Sequence, residues 1–359
     1  MRARTSWLTT GILILPLLAW PVHAEIVSIA GSVAVTVQEY QGGDVTDTVQ
    51  QNARYPEAGV VLPLQVVART LDEADPPLSA ASVAAQFADP QTSTQLNPEE
   101  FAINLALLSL SDEIRYTAQA TSQEHRDILF SPNEFINGVA GETVTLTGRL
   151  YVDGALVVFS PSAGRDLTGA EVTLEVTIVK QVAGRADETV FSGQVSVMGG
   201  EGGTVNHSAT GDMPTSTLIH SNLAVYIPDF DIFEVLIIPN LAIDYSYDAT
   251  LGEAFTLVAT VAVQAANAED EVGVAAVIGS PLDAVQEVIA AAQGESAANK
   301  TITALQQERS DPTGVLAFPA QSQPMFLPAC GLFSIELAIG MVALIGVRCY
   351  PSYRRRLTA

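Results

Sequence analysis

The residues between Glu25 and Ala329 that could do chemistry are three histidines and 39 acids, with no cysteine among them. Nucleophilic hydrolysis needs a Ser or Cys on a sharp turn, with His and an acid in reach. No Gly-x-Ser-x-Gly occurs, and the nearest pattern, Gly294-Glu-Ser296-Ala-Ala, falls in a polar segment or helix end. Zinc is held by His or Cys at close, regular spacing. His125, His207 and His220 are scattered, each reading as a surface or strand-end residue. His125 stands in Glu124-His-Arg-Asp127, an ion-rich strand edge whose charges pair with one another. Gly199-Gly-Glu-Gly-Gly203 lacks the Lys of a phosphate loop and carries an acid that repels phosphate, so it reads as a loop between strands. No catalytic residue is assigned.

Carboxylates in loops suit a hard cation, since calcium takes carboxylate and carbonyl oxygens. Asp229, Asp231 and Glu234 are the first candidates, because Asp229 and Asp231 share one face of an extended chain. Asp44 with Asp47, and Asp72 with Asp75, are further ones. None fits the EF-hand loop, and a solvated acidic loop explains the same residues. No cofactor is otherwise required. Glycoside cleavage needs two carboxylates facing each other across a sugar, and among so many acids the sequence singles out no pair. A sugar ring stacks best on an exposed aromatic plate; this region has no Trp, and Tyr226, Tyr245 and Tyr247 are the substitutes. Tyr245 and Tyr247 share a strand face, where half-burial is the ordinary explanation.

Charge narrows the partners. Glu25–Ala329 carries 10 basic residues against the 39 acids, and such a surface repels nucleic-acid phosphates. Both tryptophans (Trp7, Trp20) and both cysteines (Cys330, Cys349) lie outside it, so it has no disulfide.

Alternating apolar and polar residues, punctuated by turn residues, make this region a succession of strands. The runs are Ile26–Glu39, Gly59–Thr70, Ser82–Phe87, Phe101–Leu110, Ile114–Thr121, Ala170–Gln181, Thr189–Met198, Thr215–Tyr226, Glu234–Tyr247, Ala254–Gln264 and Val272–Ile278. Glu142–Val152 and Ala155–Phe159 flank Asp153-Gly154, which predicts a two-residue hairpin turn. Many Val-, Thr- and Ile-rich strands with almost no helical period predict an all-β fold, a jelly-roll-type antiparallel β-sandwich with one or two short helices. Ser280-Pro281-Leu282-Asp283 has the grammar of a helix start, continuing over Ala284–Ala292; Asn97-Pro98-Glu99-Glu100 has it more weakly. The expected organisation is one sandwich domain over 25–292 and a polar stalk over 293–326.

The ends read as targeting segments. Arg2 and Arg4 precede an apolar run from Gly11 to Trp20, and Val22 and Ala24 are small residues before a signal-peptidase cut between Ala24 and Glu25. Residues 1–24 are therefore the expected signal peptide, too short and too Pro-broken to span a membrane. At the other end stand Leu327, Pro328, Cys330 and Gly331, then an apolar stretch over about 332–347, then Arg348, Arg354, Arg355 and Arg356 in a basic tail of 348–359. From Phe326 to Val347 a helix would reach roughly 33 Å, enough to cross a bilayer. The basic tail stays cytoplasmic and the acidic region faces outward. Glu336 within the span is costly there.

This C-terminal arrangement resembles the sorting signals of bacterial surface proteins, the LPXTG and PEP-CTERM class. Leu327, Pro328 and Gly331 match LPXTG, with Cys330 where that motif has Thr. The resemblance covers residues 327–359 and implies cutting and attachment by a sortase-like enzyme that works at a Cys-Gly pair. Leu327–Cys330 also echoes a lipobox. Together these features predict a non-enzymatic, envelope-anchored protein outside the cytoplasm, with a structural, adhesive or binding role toward a polysaccharide or another envelope component. The alternative is a carbohydrate-binding or carbohydrate-active module.

Overall fold

The structure is a computed structural model that describes residues 25–57, 64–71, 80–87, 103–110, 114–135, 137–160, 166–213, 219–221, 232–268 and 272–278. The signal segment, the helix expected at 280–292, the weaker one at 97–100, the stalk and the sorting signal lie outside the described residues.

Fourteen strands account for most of what is described. They are β1 (Glu25–Gln41), β2 (Asp44–Tyr55), β3 (Leu64–Leu71), β4 (Ala80–Phe87), β5 (Ile103–Leu110), β6 (Arg115–Leu129) and β7 (Thr143–Ser160). The second half adds β8 (Glu171–Gln181), β9 (Glu188–Gly199), β10 (Val205–Gly211), β11 (Ile219–Ser221), β12 (Ile232–Thr250), β13 (Phe255–Ala266) and β14 (Gly273–Ile278). They form two antiparallel sheets of seven. Sheet A runs β10-β9-β8-β13-β6-β1-β2, and sheet B runs β11-β12-β7-β14-β5-β4-β3. The sheets pack face to face: β2 meets β3, β1 meets β4, β6 meets β5, β13 meets β14, β8 meets β7 and β9 meets β12. One hydrophobic cluster fills the space between them.

The alternation in the sequence is what splits each strand into two faces. Val33, Val35 and Val37 on β1, and Val172, Leu174, Val176 and Ile178 on β8, point inward and are essentially dry. Fully burying such a side chain is worth roughly 1.5–3 kcal/mol, which is why this pattern dominates the fold. Toward β4 and β6 the facing residues are small, with Ala81 and Ala85 on one strand and Ala118 and Ala120 on the other, all buried. Small side chains there let the sheets approach closely.

Three expectations need correction. Asp153-Gly154 is not a hairpin turn: β7 runs straight through it, paired with β12 along its length. The dipeptide sits beside an irregularity in β12, where register shifts between Ile238 and Leu241. Pro239, which has no N–H for the ladder, lies in that shift, and the pairing resumes at Leu241 opposite Val152. β6 does not end at Thr121 but continues to Leu129, carrying Glu124 and Arg126 inward at positions where the alternation calls for apolar residues. Finally, β2 and β10 are strands that the apolar pattern does not mark. They are the two edges of sheet A and are largely exposed.

Candidate binding face

The outer face of sheet A is laid out by register. Reading across the strands, one row is Gln50 (β2), Thr36 (β1), Gln119 (β6), Gln264 (β13), Thr173 (β8), Ser196 (β9) and Ser208 (β10). All seven are uncharged and carry hydroxyl or amide groups. Adjacent strands lie about 4.8 Å apart, so the row is a line of hydrogen-bonding groups roughly 29 Å long. The row below it reads Thr48, Gln38, Thr117, Ala266, Glu171, Met198 and Asn206.

Between these rows a groove of about 380 Å³ opens over β1, β6, β13 and β8. Its floor is Ala266, a methyl group among longer side chains, and its walls are Gln38 and Thr117 on one side and Glu171 and Thr173 on the other. Arg115 stands at one end. Local bonds hold the walls. The Gln38 side-chain oxygen accepts from Tyr40 Oη at 3.2 Å and from Thr117 Oγ1 at 3.5 Å, and Thr173 Oγ1 donates to Glu171 Oε1 at 3.2 Å. Asn267 fixes the end near Arg115. Fully buried, it accepts from the Tyr116 backbone N–H at 2.6 Å and donates to the carbonyls of Ile114 and Ala268. By contrast Thr36, Gln119 and Gln264 make no side-chain hydrogen bond among the described residues, so the middle row is open to a ligand.

Further along the same face, Gln123 donates to Thr260 Oγ1 at 3.0 Å. Asp127 accepts from Thr256 Oγ1 at 2.6 Å and from Ser28 Oγ, bonds that hold its carboxyl below the usual range. His125, beside it, is half-buried; burial lowers its pKa, and the Asp127 charge pulls it partly back.

His125 therefore sits mid-strand on β6, third from the edge of sheet A, and not at a strand edge. The pairing expected of its neighbours is real but internal: Arg126 Nε lies 2.5 Å from Glu124 Oε1, both side chains buried between the sheets. In sheet A, Gly31 and Ala259 flank Glu124, leaving room for the pair. No signal in the sequence marks these two as inward except their place in the alternation. His207 is on β10 and His220 on β11, edge strands of different sheets, so the structure does not gather the histidines.

Tyr245 and Tyr247 are no sugar plate. They point into the core, their rings 6.1 Å apart, and Tyr247 meets Phe255 edge-on. Gly199 to Gly203 is the tight connection between β9 and β10, as expected of a loop; Gly202, at φ +65°, needs the left-handed backbone that glycine adopts freely. Asp44 and Asp47 lie exposed at the start of β2, and Asp47 accepts from the backbone N–H of Thr48. Of the leading calcium candidates, Glu234 lies on β12 opposite Val158, and Asp229 and Asp231 lie outside the described residues, as do Asp72, Asp75 and Tyr226. Among the described residues no three His, Cys, Asp or Glu are grouped as a metal site. The groove itself was not legible in the sequence, because its residues are the polar half of four ordinary amphipathic strands and only register brings them together.

No family model and no curated protein matches this chain. Among solved structures it is similar to two of infectious bursal disease virus. The Gx strain structure is 13% identical over 71% of this chain, with a TM-score of 0.09, and this chain spans 64% of its length. The VP2 subviral particle is 14% identical over 80% of this chain and 73% of its own, also with a TM-score of 0.09. At those scores the likeness carries no argument about fold or function.

Proposed function

We propose that this protein is exported, held at the cell envelope and non-enzymatic, and that its working surface is the outer face of sheet A. The observation that carries this reading is the groove over β1, β6, β13 and β8, where Thr36, Gln119 and Gln264 make no side-chain hydrogen bond among the described residues and stand beside walls held by local bonds. Pinned walls with free donors and acceptors are suited to binding, since little ordering remains to be done on contact. The residues at the groove are mostly hydroxyl and amide groups, which are suited to recognition by hydrogen bonding.

Export rests on the signal segment cut between Ala24 and Glu25, and retention on Leu327, Pro328, Cys330 and Gly331, the apolar span and the terminal arginines. Signal peptidase and a sortase-like enzyme are the processing partners. What supports a jelly-roll-type sandwich is that the connections β2–β3, β5–β6, β7–β8 and β13–β14 each join strands that face one another across the core.

Sedimentation with isolated cell envelopes tests this reading. Residues 25–292, which hold both sheets and lack the anchoring segment, should pellet when added to the envelopes, and Gln119→Ala/Gln264→Ala should leave this region in the supernatant, whereas Ser192→Ala/Gln194→Ala on the outer face of β9 should not. Equal pelleting of the groove variant and the wild type would overturn it.

A further inference from the structure

We infer that the groove takes a neutral, polyhydroxylated polymer, an uncharged polysaccharide laid across the strands of sheet A. The inference rests on the reading of this face as the binding surface and adds the class of ligand. Three observations lead to it.

The first is the chemistry of the middle row. Thr36, Gln119 and Gln264 present hydroxyls and amides, each able both to donate and to accept. Sugar hydroxyls have the same dual character, whereas a phosphate or carboxylate only accepts. Hydroxyl, amide and charged groups make up the larger part of the groove's exposed surface, so it favours a ligand that hydrogen-bonds over an apolar side chain.

The second is geometry. The row runs perpendicular to the strands, with one hydrogen-bonding side chain per strand at a spacing of about 4.8 Å. A hexose chain repeats at a comparable distance, so successive sugars meet successive strands. The row extends past the groove onto Gln50 on one side and onto the exposed Ser208 on the other, with Ser196 between in register but buried. Those two serines are bonded to each other at 2.8 Å.

The third is charge. Glu25–Ala329 holds 10 basic and 39 acidic residues, a field that repels anionic polymers before contact. Arg115 is one positive group at the end of the groove, with Glu171 across it, which cannot reverse that field. The groove has no exposed aromatic plate, so the stacking energy that tight sugar sites use is missing and each contact is weak. Affinity comes from many repeats along one chain.

Affinity electrophoresis of the protein recovered from native envelopes tests the ligand class. Gels carry dextran, mannan or pullulan as neutral probes, alginate as an anionic one and poly-Lys as a cationic one. At least one neutral polymer should retard the wild type, and Gln119→Ala/Gln264→Ala should weaken that binding about tenfold, the worth of two neutral hydrogen bonds. Ser192→Ala/Gln194→Ala should migrate as the wild type does. A melting curve confirms that each variant is folded, and all four changes are at outward, solvent-facing or edge-of-groove positions. Retardation by alginate or poly-Lys alone, lost in the groove variant, would overturn the neutral-polymer inference and leave the binding face standing. Retardation by a neutral polymer that the groove variant leaves unchanged would overturn the inference too, and with unchanged envelope sedimentation the binding face would fall with it.

Discussion

Glu124 and Arg126 put a carboxylate and a guanidinium between two sheets whose shared core is otherwise mainly aliphatic and aromatic. Burying either charge alone is costly, so the pair should behave as a unit. Glu124→Gln or Arg126→Met alone is expected to cost about 3–5 kcal/mol, and Glu124→Leu/Arg126→Met to recover most of that loss. Urea unfolding of the two singles and the double checks this, and additive losses would contradict it. On the opposite face of the same strand, His125 and Asp127 both have folded pKa values below their ordinary 6.5 and 3.8. The unfolded chain therefore takes up protons at both sites before the folded chain does, and stability must fall as pH falls. For His125 that loss starts near 6.5 and runs down to its lower folded value. For Asp127 the stabilisation is complete above 3.8 and disappears as pH drops through its own lower folded value. His125→Gln should flatten the upper part of a stability–pH curve, and Asp127→Asn the lower part; slopes unchanged by either substitution would refute the assignment. The sequence marks Glu124–Asp127 as a cluster of mutually pairing charges, and the structure divides it by parity, even residues to the core and odd residues to the outer face. That division could be read only if β6 was known to run on past Thr121, and the inward charges are what hid the continuation.

At the scale of elements, central strands were legible and edge strands were not. A strand buried on one face must alternate, so β1, β8, β9 and β13 announce themselves. β2 and β10 each have one neighbour and little core to cover, and Val49, Ala53, Val205 and Ala209 give them only a partly buried face. The Asp-Gly pair in β7 misleads for another reason: its turn chemistry is local, while the ladder to β12 is long enough to carry the strand through. Gly148, earlier in β7, is explained by its cross-strand neighbour Tyr245. A methyl group at Gly148 would lie 2.3 Å from the Tyr245 ring, and that ring is buried against Tyr247. Gly148→Ala should therefore destabilise by about 1–3 kcal/mol, the usual cost of overpacking. Gly148→Ala combined with Tyr245→Leu should lose less than the sum of the two single changes, as measured by thermal unfolding. A neutral Gly148→Ala would show that the ring does not rest on this glycine.

For the molecule as a whole, the groove, the net charge and the two ends fit one arrangement. In the arrangement we propose, the acidic region lies outside the membrane with its polar sheet face toward uncharged envelope polymer, and the basic tail lies on the cytoplasmic side before processing. Intact mass spectrometry of the protein recovered from native cells, with and without Cys330→Ala, tests this most directly. The expected species begins at Glu25 and ends near Ala329 or Cys330 with an added lipid or glycan mass, and the substitution abolishes that species. A chain running from Glu25 to Ala359, the same in both forms, would contradict the processing, and one still beginning at Met1 would contradict export as well.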